Sequence, residues 1–349
     1  MTSVMDDTQG SKEPFEVYQR MLRERLQSFL DPLHPMLRSD VARALQETGK
    51  LFDITQTGAR GSVPAGSWSL LTLLIALHIA PEIDLLHVSS AAIAVECLIC
   101  ALDLLDDVED GDQTSLIKEL GPARVLNVST ALLMLAQRMI LSIARPEFPA
   151  AHILYLLDAM QELLLVATTG QQRDLLAEQR TVEQMTVEEC IGIAAEKAGA
   201  LMSLACRMGA LCAGADDEVC EHYTLLGQLL GIAHQLDNDC HDLYYLLQDE
   251  SVTQSMGEGV FTISKHSKTD LIRSKKTLPI VLAAESQRAF HSEDSPIENG
   301  SYDQKGLQEG IMAGWGISLL YRERARDQLN KIEAQQPVSH ALRLLLGFA

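Results

Sequence analysis

An acidic segment, ALDLLDDVED at residues 101–110, ends a long apolar stretch of this sequence. At about 100° per residue, Asp103, Asp107 and Asp110 fall on one helical face, with Asp106 beside them. Like charges at this spacing repel one another, and partial burial adds to the cost, so the pattern indicates a site for a divalent cation. Oxygen-only ligands favour Mg²⁺, which keeps several waters and completes its shell with substrate phosphate.

A second group of oxygen ligands follows another apolar helical pattern further along the chain. Asn238, Asp239 and Asp242 repeat the i, i+1, i+4 spacing of the first group. An isolated Asp-Asp pair is more simply interpreted as an acidic helix end that reaches solvent. Two such faces placed opposite each other are instead suited to hold a diphosphate between bridging metal ions.

The composition predicts an all-α fold. Of the 349 residues, 47% are hydrophobic and only 11 are proline, and almost all of the apolar content has a 3.6-residue period. The formal net charge is −20, from 28 Lys plus Arg against 48 Asp plus Glu, which argues against a nucleic-acid partner. An anionic substrate therefore needs local cations or metal ions.

The cysteines and the N-terminal residues predict a cytoplasmic protein. The chain has 7 cysteines, an odd number, and its first residues are polar without an apolar targeting core, so we expect reduced thiols. Cys97 and Cys100 form a CxxC pair, but nothing completes a zinc site, and we interpret them as core residues. The apolar run 88–105 is interrupted by Glu96 and Asp103, which predicts a buried helix rather than a membrane span.

Helical patterns separated by proline and glycine cover most of the chain. Residues 1–13 are expected to be disordered, and 14–349 to form a single helical domain, since no linker or repeat divides them. Helices are expected at about 14–52 (two, divided near Pro32), 67–79, 85–110, 121–144, 150–168, 186–212, 217–247, 270–290 (with a new segment or a kink at Pro279) and 306–349 (one long and one short). Residues 249–268 and 291–305 are expected to be loops.

Five short motifs, in order, resemble those of the all-trans polyprenyl synthetase family, the head-to-tail isoprenyl diphosphate synthases. Asp106, Asp107 and Asp110 resemble its first aspartate-rich motif, DDxxD. The segment GQQRDL at 170–175 resembles GQxxDL, and KAGAL at 197–201 resembles the lysine–threonine segment. GIAHQLDNDCHD at 231–242 resembles the second aspartate-rich helix, with Asn238 in place of the first aspartate, and DLIRSKKTLP at 270–279 resembles DLxxGKxTLP.

The resemblance implies an isoprenoid-synthase-type helical bundle around a central cavity, with both acidic helices at its mouth. It implies that a cluster of roughly three Mg²⁺ ions forms once diphosphate is bound. The implied metal ligands are Asp106, Asp107, Asp110, Asn238, Asp239 and Asp242. Lys197 and Lys275 are implied to assist departure of the diphosphate, and with the five aspartates they form the implied catalytic set.

The resemblance also implies a substrate site and an oligomeric state. Gln171, Asp174 and Gln235 are implied to bind substrate together with the two lysines. The family sets product length just before the first motif, where Ala101 and Leu102 are not bulky aromatics, so we expect a farnesyl or longer substrate. The family commonly dimerises, which implies a homodimer.

The second substrate site of the family, for isopentenyl diphosphate, is not matched. The family builds that site from GGKRxRP, a histidine before the first acidic motif and Arg-Arg after it. Here the corresponding residues are GARGSVP at 58–64, Ile99, and Ser115-Leu116, and only Arg60 keeps a suitable charge. Each lost charge-assisted hydrogen bond is worth about 1.5–3 kcal/mol, so we expect binding of isopentenyl diphosphate to be weaker by orders of magnitude.

We therefore expect Mg²⁺-dependent ionisation of an allylic diphosphate by a class I terpene synthase of the isoprenyl-diphosphate-synthase-like type. Three alternatives remain open: transfer to a peptide or small-molecule acceptor, as in bacterial enzymes that prenylate a tryptophan in a quorum-sensing peptide; elongation with isopentenyl diphosphate; and a non-catalytic partner subunit. The aromatic content is low, at 7 Phe, 7 Tyr and 2 Trp, which argues mildly against extensive cyclisation. We interpret His241 as a helix-packing residue.

Overall fold

The computed structural model describes residues 13–48, 67–144, 150–248, 275–290 and 304–348 of the chain. These residues form helices joined by turns, with no strand among them. The prediction of an all-α fold is confirmed. The predictions of disorder before residue 13 and of a loop at 249–268 fall outside the described residues.

Most helices lie at the positions that the sequence pattern predicts. The helices are α1 Glu13–Leu30, α2 Pro35–Glu47, α3 Ser67–Ile79, α4 Leu85–Glu109, α5 Ser115–Leu120, α6 Pro122–Leu141, α7 Ala150–Ala177, α8 Val187–Ala194, α9 Ala200–Cys212, α10 Asp217–Gln248, α11 Leu278–Phe290, α12 Gln304–Gln335 and α13 His340–Leu345. A 3₁₀ turn, Val182–Gln184, precedes α8, and a π-helical turn, Ala195–Gly199, joins α8 to α9.

One predicted boundary was wrong, and one predicted alternative is confirmed. Helix α7 continues to Ala177, well past the predicted end near Thr168, so the GQQRDL segment lies inside the helix. Helix α11 begins at Leu278, with Pro279 as its second residue, so a new helical segment starts at this proline. Proline is favoured in the first turn of a helix, where its missing N–H has no helical partner, and residues 275–277 before it are not helical.

The chain divides into two compact units. The first comprises the described residues of Met1–Glu162, Ser203–Thr224 and Asn330–Ala349, and the second those of Leu163–Met202 and Leu225–Leu329. In the first unit α4 contacts α1, α3 and α6. Glu96, in the middle of α4, is fully buried and accepts a hydrogen bond of 2.8 Å from the Ser69 N–H in the first turn of α3. A buried carboxylate at a helix N-terminus is favourable, so Glu96 anchors α3 on α4.

The second unit has its own apolar core. One cluster joins Cys190 and Ala194 of α8 to Ile232 and Leu236 of α10 and Val281 of α11, with several further apolar neighbours. A second cluster packs the C-terminal part of α10 against α11 and the start of α12. These contacts hold α8, α10 and α11 together beneath the predicted site residues of this unit.

Three helices, α4, α6 and α7, are long and apolar enough to cross a membrane by length and composition alone. The most apolar part of α4 is 83% buried within the protein, so its apolar surface is used in the core, as predicted. The corresponding parts of α6 and α7 are only 44% and 33% buried. Both helices therefore expose apolar side chains.

Candidate functional site

The first acidic cluster lies in the last turn of α4, which ends in a Schellman turn. Gly111 adopts φ +66°, and its N–H donates to the Val108 carbonyl at 3.1 Å. The Asp112 N–H donates back to the Asp107 carbonyl at 2.8 Å. Glycine adopts this left-handed conformation without strain. The turn folds the chain back so that Asp112 joins the carboxylates of α4.

The crowding of these carboxylates changes the protonation of Asp107. Its pKa is raised to about 6, first by burial and then by the charges of Asp112, Asp103, Asp106 and Asp110. A helix C-terminus carries partial negative charge, so acidic side chains are further disfavoured there. Both effects disfavour the ionised cluster in the absence of a counter-ion.

The chemistry of this cluster fits Mg²⁺. The donors are all oxygens, and Asp106, Asp107 and Asp110 are only partly buried and therefore accessible. Within the described ranges, no group of three or more His, Cys, Asp or Glu side chains forms a ready-made metal site. Mg²⁺ does not require one, because it binds through one or two carboxylates and fills the other positions with water and phosphate oxygens.

In the second unit, three helical segments approach closely through glycines. The π-helical turn Ala195–Gly199, which carries Lys197, lies against α7 at Gly170 and against α10 at Gly231. A Cβ on Gly170 would come within 2.7 Å of the Glu196 Cβ, and one on Gly231 within 2.3 Å of the Ala198 carbonyl oxygen. Any side chain at either glycine would push the segments apart. π-helical turns are frequent at functional sites.

Asp174 of α7 contacts both lysines of the predicted site. The Lys197 ammonium donates to Asp174 Oδ2 at 2.7 Å, and Lys275 Nζ lies 3.7 Å from the same oxygen. Lys275 is only 8% exposed. Asp174 thus offsets the repulsion between two like charges, one of them buried. Three motifs far apart in the sequence meet at this one carboxylate.

The acidic face of α10 belongs to the same region of the second unit. The Gln235 amide donates to Asp239 Oδ1 at 2.9 Å, while Asn238 and Asp242 are exposed. The pKa of Cys190 is raised to about 12, mainly by burial, with contributions from the charges of Asp239 and Asp174. The charges of both helices therefore act on this one buried thiol.

The predicted site residues are divided between the two units. The first unit contains Asp106, Asp107 and Asp110, with buried Ala101 and half-buried Leu102 about one turn earlier. The second unit contains Gln171, Asp174, Lys197, Gln235, Asn238, Asp239, Asp242 and Lys275. Of these, the structure brings Asp174 into contact with both lysines, and Gln235 into contact with Asp239. The meeting of both groups at one diphosphate stays a prediction. Arg60 lies outside the described residues.

His241 and Trp315 are accounted for by packing. The His241 ring lies 5.4 Å from the Trp315 ring and 6.1 Å from the Tyr245 ring, measured between centroids. Its Nδ1 is 2.9 Å from the Asp237 carbonyl oxygen. Tyr244 completes the cluster, 5.6 Å from Trp315. These contacts support the interpretation of His241 as a packing residue, on the face of α10 beside the acidic one.

Sequence reasoning missed a cavity of about 380 Å³ beside the first acidic cluster. Besides Asp103, Asp106 and Asp107, its lining includes Glu47 at the end of α2 and Ser115 at the start of α5. Ser115 donates to Glu47 at 2.6 Å. No motif contains Glu47, and only tertiary packing brings it near α4, so the sequence carried no signal for it.

Comparison with known proteins identifies the family of this chain. The polyprenyl synthetase family model matches residues 68–305. The chain belongs to the polyprenyl synthetase family. The predicted resemblance is therefore confirmed, and polyprenyl synthetases are prenyltransferases that act on allylic diphosphates.

Relatives with different activities share this family. The tryptophan prenyltransferase ComQ of Bacillus spizizenii is 28% identical over 250 residues, which cover 70% of this chain and 81% of that protein. A (2E,6E)-farnesyl diphosphate synthase of Mycobacterium tuberculosis is 32% identical over 160 residues, which cover 46% of this chain and only 39% of that enzyme.

Solved polyprenyl synthetase structures have the same fold. The polyprenyl synthetase from Streptomyces coelicolor A3(2) superposes with a TM-score of 0.67 and 23% identity, covering 98% of this chain and 99% of that one. The predicted isoprenoid-synthase-type helical bundle is confirmed.

The raised pKa of Asp107 predicts that this carboxylate destabilises the metal-free protein. Its pKa is about 6 in the folded protein and about 3.9 in an unfolded chain. The folded state holds the proton more tightly, so stability falls as the pH rises through this interval, and the loss is complete above about pH 6. We expect Asp107→Asn to raise the Tm at pH 7.5 in EDTA by roughly 1–4 °C, after allowance for solvent screening of a half-buried group.

Scanning calorimetry measures the Tm of the wild type and of Asp107→Asn in EDTA. Asp158→Asn is the control, since Asp158 is exposed on α7. The gain should shrink as the pH is lowered towards 4, and the control should shift Tm by less than about 1 °C. A Tm for Asp107→Asn at or below that of the wild type at pH 7.5 contradicts the assignment.

Proposed function

We propose that this polyprenyl synthetase uses Mg²⁺ to ionise an allylic isoprenyl diphosphate and release diphosphate. The observation that carries the proposal is the carboxylate cluster at the C-terminal end of α4, whose repulsion a divalent cation relieves. Asp106, Asp107 and Asp110 are the proposed ligands there, and Asn238, Asp239 and Asp242 those on α10. When bound, Mg²⁺ neutralises the charge that develops on the departing diphosphate.

Lys197 and Lys275 are proposed to bind the diphosphate. Asp174 holds both ammonium groups at one point, so they already converge before a substrate contributes any binding energy. A diphosphate carries more negative charge than one carboxylate and becomes their main counter-ion. Charge-assisted hydrogen bonds of this kind strengthen as the leaving group gains charge. Gln171, in the same motif as Asp174, is proposed to assist.

The ligands on α10 are proposed to hold Mg²⁺ more weakly than those on α4. Asn238 retains an oxygen ligand but carries no charge. Gln235 orients the Asp239 carboxylate through a hydrogen bond of 2.9 Å. The face also ends more than one turn before the C-terminus of α10 at Gln248, away from the kind of negative helix end that adds to the field at α4.

The allylic substrate is proposed to be farnesyl diphosphate or a longer homologue. Ala101 and Leu102 precede Asp106 by about one helical turn. Neither carries an aromatic ring that would close a prenyl pocket at this level.

The cation is proposed to be captured without isopentenyl diphosphate. Ile99, at the position of the family histidine, is 1% exposed and cannot contact a diphosphate. Ser115, at the position of the first family arginine, is hydrogen-bonded to Glu47. Intramolecular capture or quenching by water would make the protein a class I terpene synthase.

A second candidate, transfer to an acceptor, is favoured by the similarity to ComQ, which covers 81% of that protein. Elongation is the third candidate. The similarity to the farnesyl diphosphate synthase supports it, but over a much smaller part of that enzyme.

The proposal predicts diphosphate release that needs Mg²⁺ but not isopentenyl diphosphate. Purified protein is incubated with farnesyl or geranylgeranyl diphosphate, with and without isopentenyl diphosphate, and both diphosphate and organic products are measured. Asp107→Ala and Asp239→Ala should each lower the release rate by about 100-fold or more. Glu162→Gln, which removes an exposed ion pair with Arg207, serves as the control at wild-type rate.

Two results would reject this proposal. One is full activity of either aspartate variant, which would exclude these residues as metal ligands. The other is formation of longer diphosphates only when isopentenyl diphosphate is present, which would identify an elongating synthase.

We also propose a homodimer that uses the exposed apolar face of α6. Leu126, Met134 and Leu141 are 41%, 51% and 54% exposed and lie within about 80° of one another around the helix. Leu154 of α7 is 65% exposed. Exposed apolar stripes of this kind are typical of protein interfaces.

The homodimer proposal predicts that charge on this face separates the subunits. The double variant Leu126→Asp and Met134→Asp should elute as a monomer in light-scattering chromatography, because two carboxylates in an apolar interface would be desolvated without partners. Met36→Asp, at a 70% exposed position on α2, is the control and should stay dimeric. A monomeric wild-type protein at about 10 μM would contradict the homodimer proposal.

A further inference from the structure

Two ion pairs of opposite direction join α7 to the π-helical turn. The Arg173 guanidinium donates to Glu196 Oε1 at 2.6 Å, beside the contact of 2.7 Å between Lys197 and Asp174. Arg173 and Asp174 are consecutive on α7, and Glu196 and Lys197 are consecutive on the turn. Each segment therefore supplies the cation of one pair and the anion of the other.

The Arg173 guanidinium also lies beside the backbone of α8. A Cβ on Gly192 would come within 3.5 Å of its Nη1 and 3.6 Å of its Nη2. Gly192 precedes Glu196 by four residues, which is about one helical turn. Arg173 therefore lies beside two successive turns of the segment that leads to Lys197.

Glu196 has one ionic partner among the described residues, and this partner is Arg173. Its Oε2 atom is buried and accepts no hydrogen bond from any of these residues. A buried carboxylate oxygen without a donor is costly. Loss of Arg173 would leave this carboxylate without a counter-charge, next to the lysine proposed to bind diphosphate.

Two ion pairs fix the orientation of the turn more completely than one. With the Asp174 contact alone, the turn could rotate about that point, and the second contact at Arg173 opposes this rotation. Asp174 is also the group with which a diphosphate competes for Lys197. The pair of Arg173 and Glu196 contains no proposed substrate ligand, so a bound diphosphate leaves it intact.

We propose that Arg173 and Glu196 are positioning residues, which hold the π-helical turn and the Lys197 ammonium in place when diphosphate replaces Asp174 as counter-ion. The inference rests on the proposed function, because it requires Lys197 to bind diphosphate. The motifs assign neither residue a role. Arg173 lies at an undefined position of GQxxDL, and Glu196 precedes the segment 197–201.

The test measures binding of inorganic pyrophosphate to the full chain in Mg²⁺ by isothermal titration calorimetry. Arg173→Gln and Glu196→Gln should each weaken binding by about fivefold to tenfold, because either change breaks the same ion pair. The double variant should bind no more weakly than the single ones. The kcat/KM for farnesyl diphosphate should fall at least as much, since the Lys197 contact strengthens as the leaving group gains charge.

The direction of the two single effects separates positioning from simple charge. Arg173→Gln removes a positive charge and Glu196→Gln removes a negative one. A charge effect alone would therefore weaken pyrophosphate binding in the first variant and strengthen it in the second. Positioning requires both variants to weaken it. Arg173→Lys keeps the charge without the planar fork of arginine, and should recover part of the affinity.

Arg180→Gln is the matched control. It breaks an ion pair with Glu189 of α8 whose side chains are 38% and 34% exposed, against 38% and 29% for Arg173 and Glu196. Neither Arg180 nor Glu189 belongs to the π-helical turn. The control should lower the Tm, as Arg173→Gln does, but bind pyrophosphate with the wild-type dissociation constant.

Three outcomes would overturn the positioning role: opposite effects of the two single variants, wild-type binding in both, and equal weakening by Arg180→Gln. Lys197→Ala distinguishes this failure from failure of the proposed function. The proposed function fails if the wild type binds no pyrophosphate, or if Lys197→Ala binds it as tightly as the wild type does. Weakened binding in Lys197→Ala together with wild-type binding in the Arg173 and Glu196 variants rejects the positioning role alone.

Discussion

Like-charged carboxylates are held together at the C-terminal end of α4, where the helix itself contributes partial negative charge. The Schellman turn at Gly111 adds Asp112 to the group, and the pKa of Asp107 rises to about 6 as a result of burial and these charges. Such an arrangement costs stability, and proteins keep features of this kind mainly at functional sites. The rest of the first unit supports it, because most of α4 before the cluster is buried and cannot move to relieve the repulsion.

In the second unit, two cationic side chains lie close together. Asp174 offsets the repulsion between Lys197 and Lys275, and close approach at Gly170 and Gly231 fixes the π-helical turn that carries Lys197. The carboxylates of α4 suit a divalent metal ion, and the two lysines held by Asp174 suit a diphosphate. Each feature by itself supports the proposed ionisation chemistry.

Local sequence rules predicted most of the secondary structure. Helical periodicity and proline positions account for most helices. The structure also has a capping box of Thr186 and Glu189 at the start of α8. Helix α7 was predicted too short because Gly170 was interpreted as a helix end. Its actual role is close packing against Glu196, which depends on a neighbouring helix and leaves no local signal.

The motif spacing predicted two helical faces of oxygen ligands, one on α4 and one on α10, but it did not predict the side-chain partners of the site residues. The contact of Asp174 with two lysines and the pairing of Glu47 with Ser115 join residues far apart in sequence. The cavity beside Asp107 arises from the ends of three helices, and no single segment encodes it. Such long-range contacts cannot be predicted from one sequence, because each polar side chain could form its hydrogen bond or ion pair with many different partners.

The proposed function requires both acidic clusters to hold metal ions on the same diphosphate. A crystal structure with Mn²⁺ and farnesyl thiolodiphosphate, in which sulfur replaces the cleaved oxygen, tests it most directly through the anomalous signal of the metal. The account predicts Mn²⁺ ions that join the diphosphate to Asp106 or Asp110 on α4 and to Asp239 on α10, with Lys197 and Lys275 on the same group. A diphosphate bound away from either cluster, or bound without metal, would contradict it.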